Sequence, residues 1–220
     1  MEELGAVARE ADAASYQLID LTMPISGQML VNPCHFPPEV SQYGERATDG
    51  WVASRLVISS HTGTHLDAPS HFIDGGRTVD QVPLEQLMGR TQVIRLDHLA
   101  RRQPISAEQL PPIVAQRVLI CTSWSDISRE PDEYFNEYPF LDVSAARALL
   151  ASDVVLVGID GPSVDYDGAT HVELLGTGVV VIENLVNLSK LPELCDVTIL
   201  PMPFVGVDGS PVRAVATMQT

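Results

Sequence analysis

Residues 59–72 read SSHTGTHLDAPSHF and gather His61, His65 and His71, three of the six histidines of the chain, around Asp67. Gly63 lies between the β-branched residues Thr62 and Thr64, a combination unfavourable to a regular helix, so the segment reads as an irregular turn. If residues 65–67 are extended, His65 and Asp67 point to one side, and a turn at Gly63 brings His61 round to join them. Two imidazoles and a carboxylate with coordination positions left over are the donor set of a catalytic zinc, manganese or iron site; a closed structural zinc site takes four protein ligands, commonly thiolates. His71 follows Pro69, which can open a helical turn. It is either a further ligand or an imidazole beside metal-activated water, acting as general base and acid. Thr62, Thr64 and Ser70 are read as holding the loop by local hydrogen bonds rather than as nucleophiles.

Working outward, VASRLVIS (52–59) alternates apolar and polar residues and leads into the histidine segment as a strand. LIDLT (18–22), QVIRLDH (92–98), RVLICT (117–122), VVLVGID (154–160), VVVIEN (179–184), VTILPMP (197–203) and VRAVAT (212–217) are further strands, several too apolar to have a solvated face. SAEQL (106–110), with Ser106 and Gln109 spaced as a capping box, and VSAARALLAS (143–152), capped by Asp142 or Ser144, read as helices. The alternation predicts an α/β sheet covered by helices in a single domain over 17–220, preceded by an N-terminal arm or short helix over 1–16. Pro24–Pro38 holds four prolines and reads as a long loop of the kind that serves function.

With 220 residues and 45% hydrophobic content the chain can bury a sizeable core. Its net charge of −16 argues against nucleic acid or an anionic membrane as partner. No apolar run approaches a bilayer span, and the acidic start lacks a signal-like pattern, so a cytoplasmic protein acting on a small molecule is expected. Cys34, Cys121 and Cys195 are odd in number and far apart, which suggests neither a disulfide framework nor a thiolate metal site. Cys121 and Cys195 read as small buried hydrophobes.

Charge around a cation calls for more donors. Glu183 ends an apolar strand, where a carboxylate is costly unless it is paired or bound to metal, and His171 stands at a helix start. Glu173 and Asp165 read as solvated. GPSVD (161–165) lacks the nucleophile elbow of a serine hydrolase, and GVDGS (206–210) is a turn rather than a phosphate cradle.

HTGTHLDAPSHF (61–72), GIDGPSVD (158–165), HVELLGTGVVVIENL (171–185) and GSPVRAVA (209–216) together resemble the metal-dependent cyclase family that includes bacterial kynurenine formamidase and isatin hydrolase. The resemblance implies a swivelling β/β/α domain, a homo-oligomer (dimer or tetramer), and amide cleavage with one or two Zn2+ or Mn2+ ions per chain. By position, His61, His65 and Asp67 would hold a first metal, Asp67 and Glu183 would bridge to a second held also by His171, and His71 would donate and accept the proton. Bacterial kynurenine formamidases carry a Trp-Pro-Gly-Asp stretch in the loop after the first strand, whereas this chain has QMLVNPCHFPP (28–38), which, with TSWSDIS (122–128), is more similar to isatin hydrolase. The implied reaction is hydrolysis of a small amide, formamide or lactam by hydroxide generated at the metal, with His71 as proton shuttle. The alternative is ring closure of an aromatic polyketide by aldol condensation.

Overall fold

The computed structural model describes residues 16–96, 98–127 and 130–219. The N-terminal arm expected over 1–16 therefore lies outside the described residues, except that residue 16 already belongs to the first strand. In chain order the strands are β1 (Tyr16–Asp20), β2 (Glu39–Gly44), β3 (Ala53–Val57), β4 (His65–Asp67), β5 (Met88–Arg95), β6 (Pro104–Ile105), β7 (Arg117–Cys121), β8 (Phe140–Leu141), β9 (Leu156–Ile159), β10 (Val180–Glu183), β11 (Leu194–Pro201) and β12 (Gly209–Gln219).

The main sheet runs β1-β12-β11-β5-β7-β9-β10-β4. Its last strand, β4, also pairs with the start of β12, so seven strands close into a barrel-like ring while β1 pairs with the far end of β12. β5, β7, β9 and β10 are mutually parallel, and the remaining pairings of this sheet are antiparallel. Parallel strands flanked on both faces have no solvated side, which is why RVLICT and VVLVGID are apolar throughout. Leu119 of β7 faces a core with Leu66, Ile182 and Val197, while its neighbours Val118 and Ile120 face a second core. That second core is capped by the helices Val143–Leu150 and Ala169–Gly176, through Ala145, Ala146, Leu149, Leu174 and Leu175. Each such Leu contributes roughly 1.5–3 kcal/mol by leaving water.

The expected elements are present with two differences, in SAEQL and in the strand over 52–59. SAEQL is a single 3-10 turn, Ala107–Gln109, although its capping box forms as expected. Asp142 caps the helix Val143–Leu150 by accepting a hydrogen bond from the Ala145 amide. The strand expected over 52–59 stops at Val57 and pairs with β2 alone, as a two-stranded hairpin outside the main sheet that leaves Tyr43 and Leu56 exposed. The histidine segment thus builds its own strand, β4, after an irregular turn. Cys121 and Cys195 are buried free thiols.

Candidate metal centre

β4 is short, but both of its edges are paired, and this fixes the site. Against β10 the register sets Glu183 opposite His65; against β12 it sets Gly209 opposite Asp67, with Asp208 one residue before. Extended geometry turns His65 and Asp67 to the same side and Leu66 into the core on the other. Gly63, at φ 63°, supplies the left-handed turn that swings His61 back over Asp67. Thr64 pins the turn: its hydroxyl donates to the Asn184 carbonyl at 2.6 Å and accepts from the Met23 amide at 2.8 Å. His71 ends a 3-10 turn begun by Pro69, and His171 lies in the first turn of the helix Ala169–Gly176.

His61, His65, Asp67, His171 and Glu183 converge, with His71 at the rim. His61 Nδ1 is 2.8 Å from Asp67 Oδ1; His65 Nε2 is 3.4 Å from the same oxygen and 3.5 Å from Glu183 Oε2. His171 Nε2 is 3.5 Å from Asp67 Oδ2 and 3.2 Å from Glu183 Oε1. Two sets of donors stand close enough to share an ion, His61–Asp67–His71 and His65–Asp67–Glu183, and Asp67 belongs to both.

The supporting bonds set the tautomers. His65 Nδ1 donates to the Gly63 carbonyl at 2.8 Å, and His171 Nδ1 to Asp165 Oδ1 at 2.8 Å. Each neutral ring therefore turns a bare Nε2 lone pair towards carboxylate oxygens. Lone pair facing lone pair at 3.2–3.5 Å is repulsive unless a cation, either a proton on Nε2 or a metal ion, lies between. Those separations match the edge of about 3.4 Å of a tetrahedron built on metal bonds of about 2.1 Å. Asp67 is 1% exposed, yet neither of its carboxylate oxygens accepts a hydrogen bond. His61 Nδ1 is near in distance but off the line a hydrogen bond needs. A buried carboxylate left in this way costs more than a neutral group would, and a divalent ion satisfies it. These residues fit such an ion.

The same carboxylates that would hold a metal ion favour positive charge on the imidazoles, so protons compete for the site. Burial disfavours charge on His61, but the carboxylates of Asp67 and Asp208 outweigh it and push the imidazole up to about 9. Against the same burial, Asp67 and Glu183 raise His65, and Asp165, Asp67 and Glu183 raise His171. Burial opposes ionisation of Asp67 as well, yet the surrounding imidazoles hold it well below the usual carboxylate range. His71 is lowered, chiefly by burial, although its Nδ1 bonds Asp208 Oδ2 at 3.0 Å.

One expectation is corrected. Asp165 is not solvated: it is buried, its Oδ2 accepts the Thr170 and His171 amides, and its Oδ1 accepts the Gly168 amide as well as His171 Nδ1. A carboxylate that looks like a loop residue thus caps the helix Ala169–Gly176 and orients its histidine. Glu173 pairs with Arg147 on the outer side of that helix. Asp208, read only as part of a turn, bonds both His61 and His71. His35, from the long loop, stacks on His61 with ring centroids 5.5 Å apart. The cluster opens into a cavity of about 450 Å³ walled by Met23, Met29, Leu30, Phe72, Phe135 and Tyr138. Phe72 also stacks on His171, 4.6 Å between centroids. Among the described residues no helix is long and apolar enough to cross a membrane.

The Cyclase family model matches residues 19–166. A kynurenine formamidase of Salinibacter ruber is 38% identical over 165 residues, 73% of this chain and 77% of the relative. One from Geobacillus thermodenitrificans is 33% identical over 205 residues, 89% of this chain and 95% of the relative. Among solved structures, a predicted metal-dependent hydrolase from Bacillus stearothermophilus superposes with a TM-score of 0.77 at 30% identity, covering 92% of this chain and 98% of that one. An isatin hydrolase bound to thioisatinate superposes with a TM-score of 0.84 at 21% identity, covering 93% of each chain, and shares the fold.

Proposed function

The chain belongs to the Cyclase family and is a metal-dependent hydrolase of non-peptide C–N bonds, and on that premise we propose that it cleaves a small amide, formamide or lactam. The observation that carries the reading is Asp67, buried, without a hydrogen bond on either oxygen, and common to two convergent sets of donors. When bound there, a divalent ion lowers the pKa of water from about 15.7 towards 7 and polarises the substrate carbonyl. His61, His65, Asp67, His171 and Glu183 are the residues that would hold it. The sharing of Asp67 supports two ions per chain, and the nitrogen and oxygen donors suit Zn2+ or Mn2+.

The work of the chain around that ion is to fix and to carry protons. The Gly63 carbonyl and Asp165 keep His65 and His171 in the ligating tautomer. With Nδ1 committed to Asp208, His71 presents Nε2 to the cavity, where it takes the proton from the attacking water and returns it to the leaving nitrogen. The apolar walls supplied by Met29, Leu30, Phe135 and Tyr138 receive the ring of an aromatic amide and displace water from beside the scissile bond. The loop that supplies Met29, Leu30 and His35 has no Trp-Pro-Gly-Asp stretch, which favours lactams such as isatin over N-formylkynurenine.

A homo-oligomer is part of the proposal and is supported by the β2–β3 hairpin, which stands outside the main sheet and leaves the apolar Val40, Tyr43 and Leu56 exposed. A cytoplasmic setting is supported by the three free thiols. The test is metal analysis of the purified protein joined to a panel of isatin, N-formylkynurenine and N-formylanthranilate. Turnover of at least one that is lost on chelation and restored by Zn2+ or Mn2+ is expected. A protein that holds metal but cleaves none of them refutes the amide reading and leaves ring closure.

A further inference from the structure

Asp208 has no place in the donor set above, yet three side chains of the signature segment reach it. Ser60 Oγ donates to its Oδ1 at 3.1 Å, while its Oδ2 takes both His61 Nε2 at 2.9 Å and His71 Nδ1 at 3.0 Å. Its carbonyl accepts the Ala68 amide at 2.9 Å, which ties its backbone to the end of β4. The next residue must be small. A Cβ on Gly209 would lie 2.8 Å from the Leu66 carbonyl and 3.0 Å from His61 Cε1. The chain therefore approaches the His61 ring as closely as a backbone can and then aims a carboxylate at it.

One oxygen that receives two imidazole N–H groups fixes both rings at once. It directs the Nδ1 of His61 to Asp67 and the Nε2 of His71 to the cavity, and the two rings stand 4.0 Å apart between centroids. We propose that Asp208 is a positioning residue that couples ligand and proton shuttle: it orients His61 for the ion and His71 for the substrate through the same carboxylate oxygen. This rests on the metal-centre reading above. It predicts a double effect from one substitution, because neither ring keeps its tautomer when the shared acceptor loses its charge.

The experiment is D208N, with Mn2+ and Zn2+ affinity measured by calorimetry on protein stripped with chelator, followed by steady-state kinetics on an amide substrate at saturating metal. The Asp208 side chain is 39% exposed, so the variant folds, and matching melts of the two stripped proteins check this. The expected result is affinity weaker by roughly 10- to 100-fold. With metal saturating, kcat falls by about 10²-fold while KM stays within about threefold. Unchanged affinity, or a loss confined to KM, overturns the role of Asp208 and leaves the metal centre standing. A wild-type protein that binds neither ion overturns the metal centre and this inference together.

Discussion

Removal and return of the ion tests the centre without reference to any substrate. The cluster brings the carboxylates of Asp67, Glu183, Asp165 and Asp208 against the imidazoles of His61, His65, His71 and His171, and both oxygens of Asp67 lack a hydrogen bond. An ion that binds the folded chain and not the unfolded one stabilises it by RT ln(1 + [L]/Kd), or about 2.7 kcal/mol at 100-fold excess over Kd. For a chain of this size each kcal/mol moves the midpoint by roughly 2–4 °C, so chelated protein titrated with Zn2+ or Mn2+ in a calorimeter should gain roughly 5–11 °C. The geometry also ranks variants. Asp67 belongs to both donor sets, so D67A should abolish the shift, whereas E183Q disables one set and should leave a smaller one. A flat titration of the wild-type protein, or an undiminished shift in D67A, refutes the placement of the ion.

Three further outcomes follow. H71A should lower kcat by about 10²-fold or more while metal content, measured by mass spectrometry, stays at the wild-type value; loss of the metal instead would make His71 a ligand rather than a shuttle. G209A should destabilise the chain by about 1–3 kcal/mol in urea melts and weaken metal binding, because its Cβ meets the Leu66 carbonyl and the His61 ring; unchanged stability would show that the approach can relax. Asp160 is buried and accepts from the amide and hydroxyl of Thr122, but burial outweighs these bonds and pushes it up to about 6. A carboxyl raised in the folded state favours folding below its unfolded value near 4 and loses that contribution as pH rises through 6, by about 3 kcal/mol in all. Urea melts at pH 4.5 and 7.5 should show a steeper decline in the wild-type protein than in D160N, which keeps only the contribution of the raised imidazoles; equal slopes in the two proteins count against it.

The sequence carried the parts of this site that follow from local rules. His65 and Asp67 share a side because a strand alternates, and Glu183 stood out because a carboxylate at the end of VVVIE is costly without a partner. The helix at Val143 was readable from Asp142 and its apolar spacing. What stayed hidden depends on register. β4 is too short to show a period, and nothing local says that it pairs on both edges. Asp165 sits in SVDYDG, which reads as an exposed turn, and it becomes a buried cap only because the helix that follows starts over it. Asp208 lay in GVDGS for the same reason. An aspartate just before a glycine at the mouth of a strand was the available signal, but its partners lie at Ser60, His61 and His71, far away along the chain.

Closure of the sheet is what turns these separate signals into one centre. Glu183 arrives with β10 from one side of β4 and Asp208 with β12 from the other, so neither carboxylate is in place unless the short strand bridges both neighbours. An ion held by His65 and Asp67 of β4, Glu183 of β10 and His171 of the helix Ala169–Gly176 would join three elements at one corner of the barrel. Catalytic geometry and ring closure then depend on each other: the register creates the donor set, and the cation relieves the repulsion that the register imposes on Asp67. That explains why a carboxylate so costly to bury is tolerated at the closing strand of the barrel, where a neutral side chain would stabilise the apo fold better but leave the ring without its charged staple.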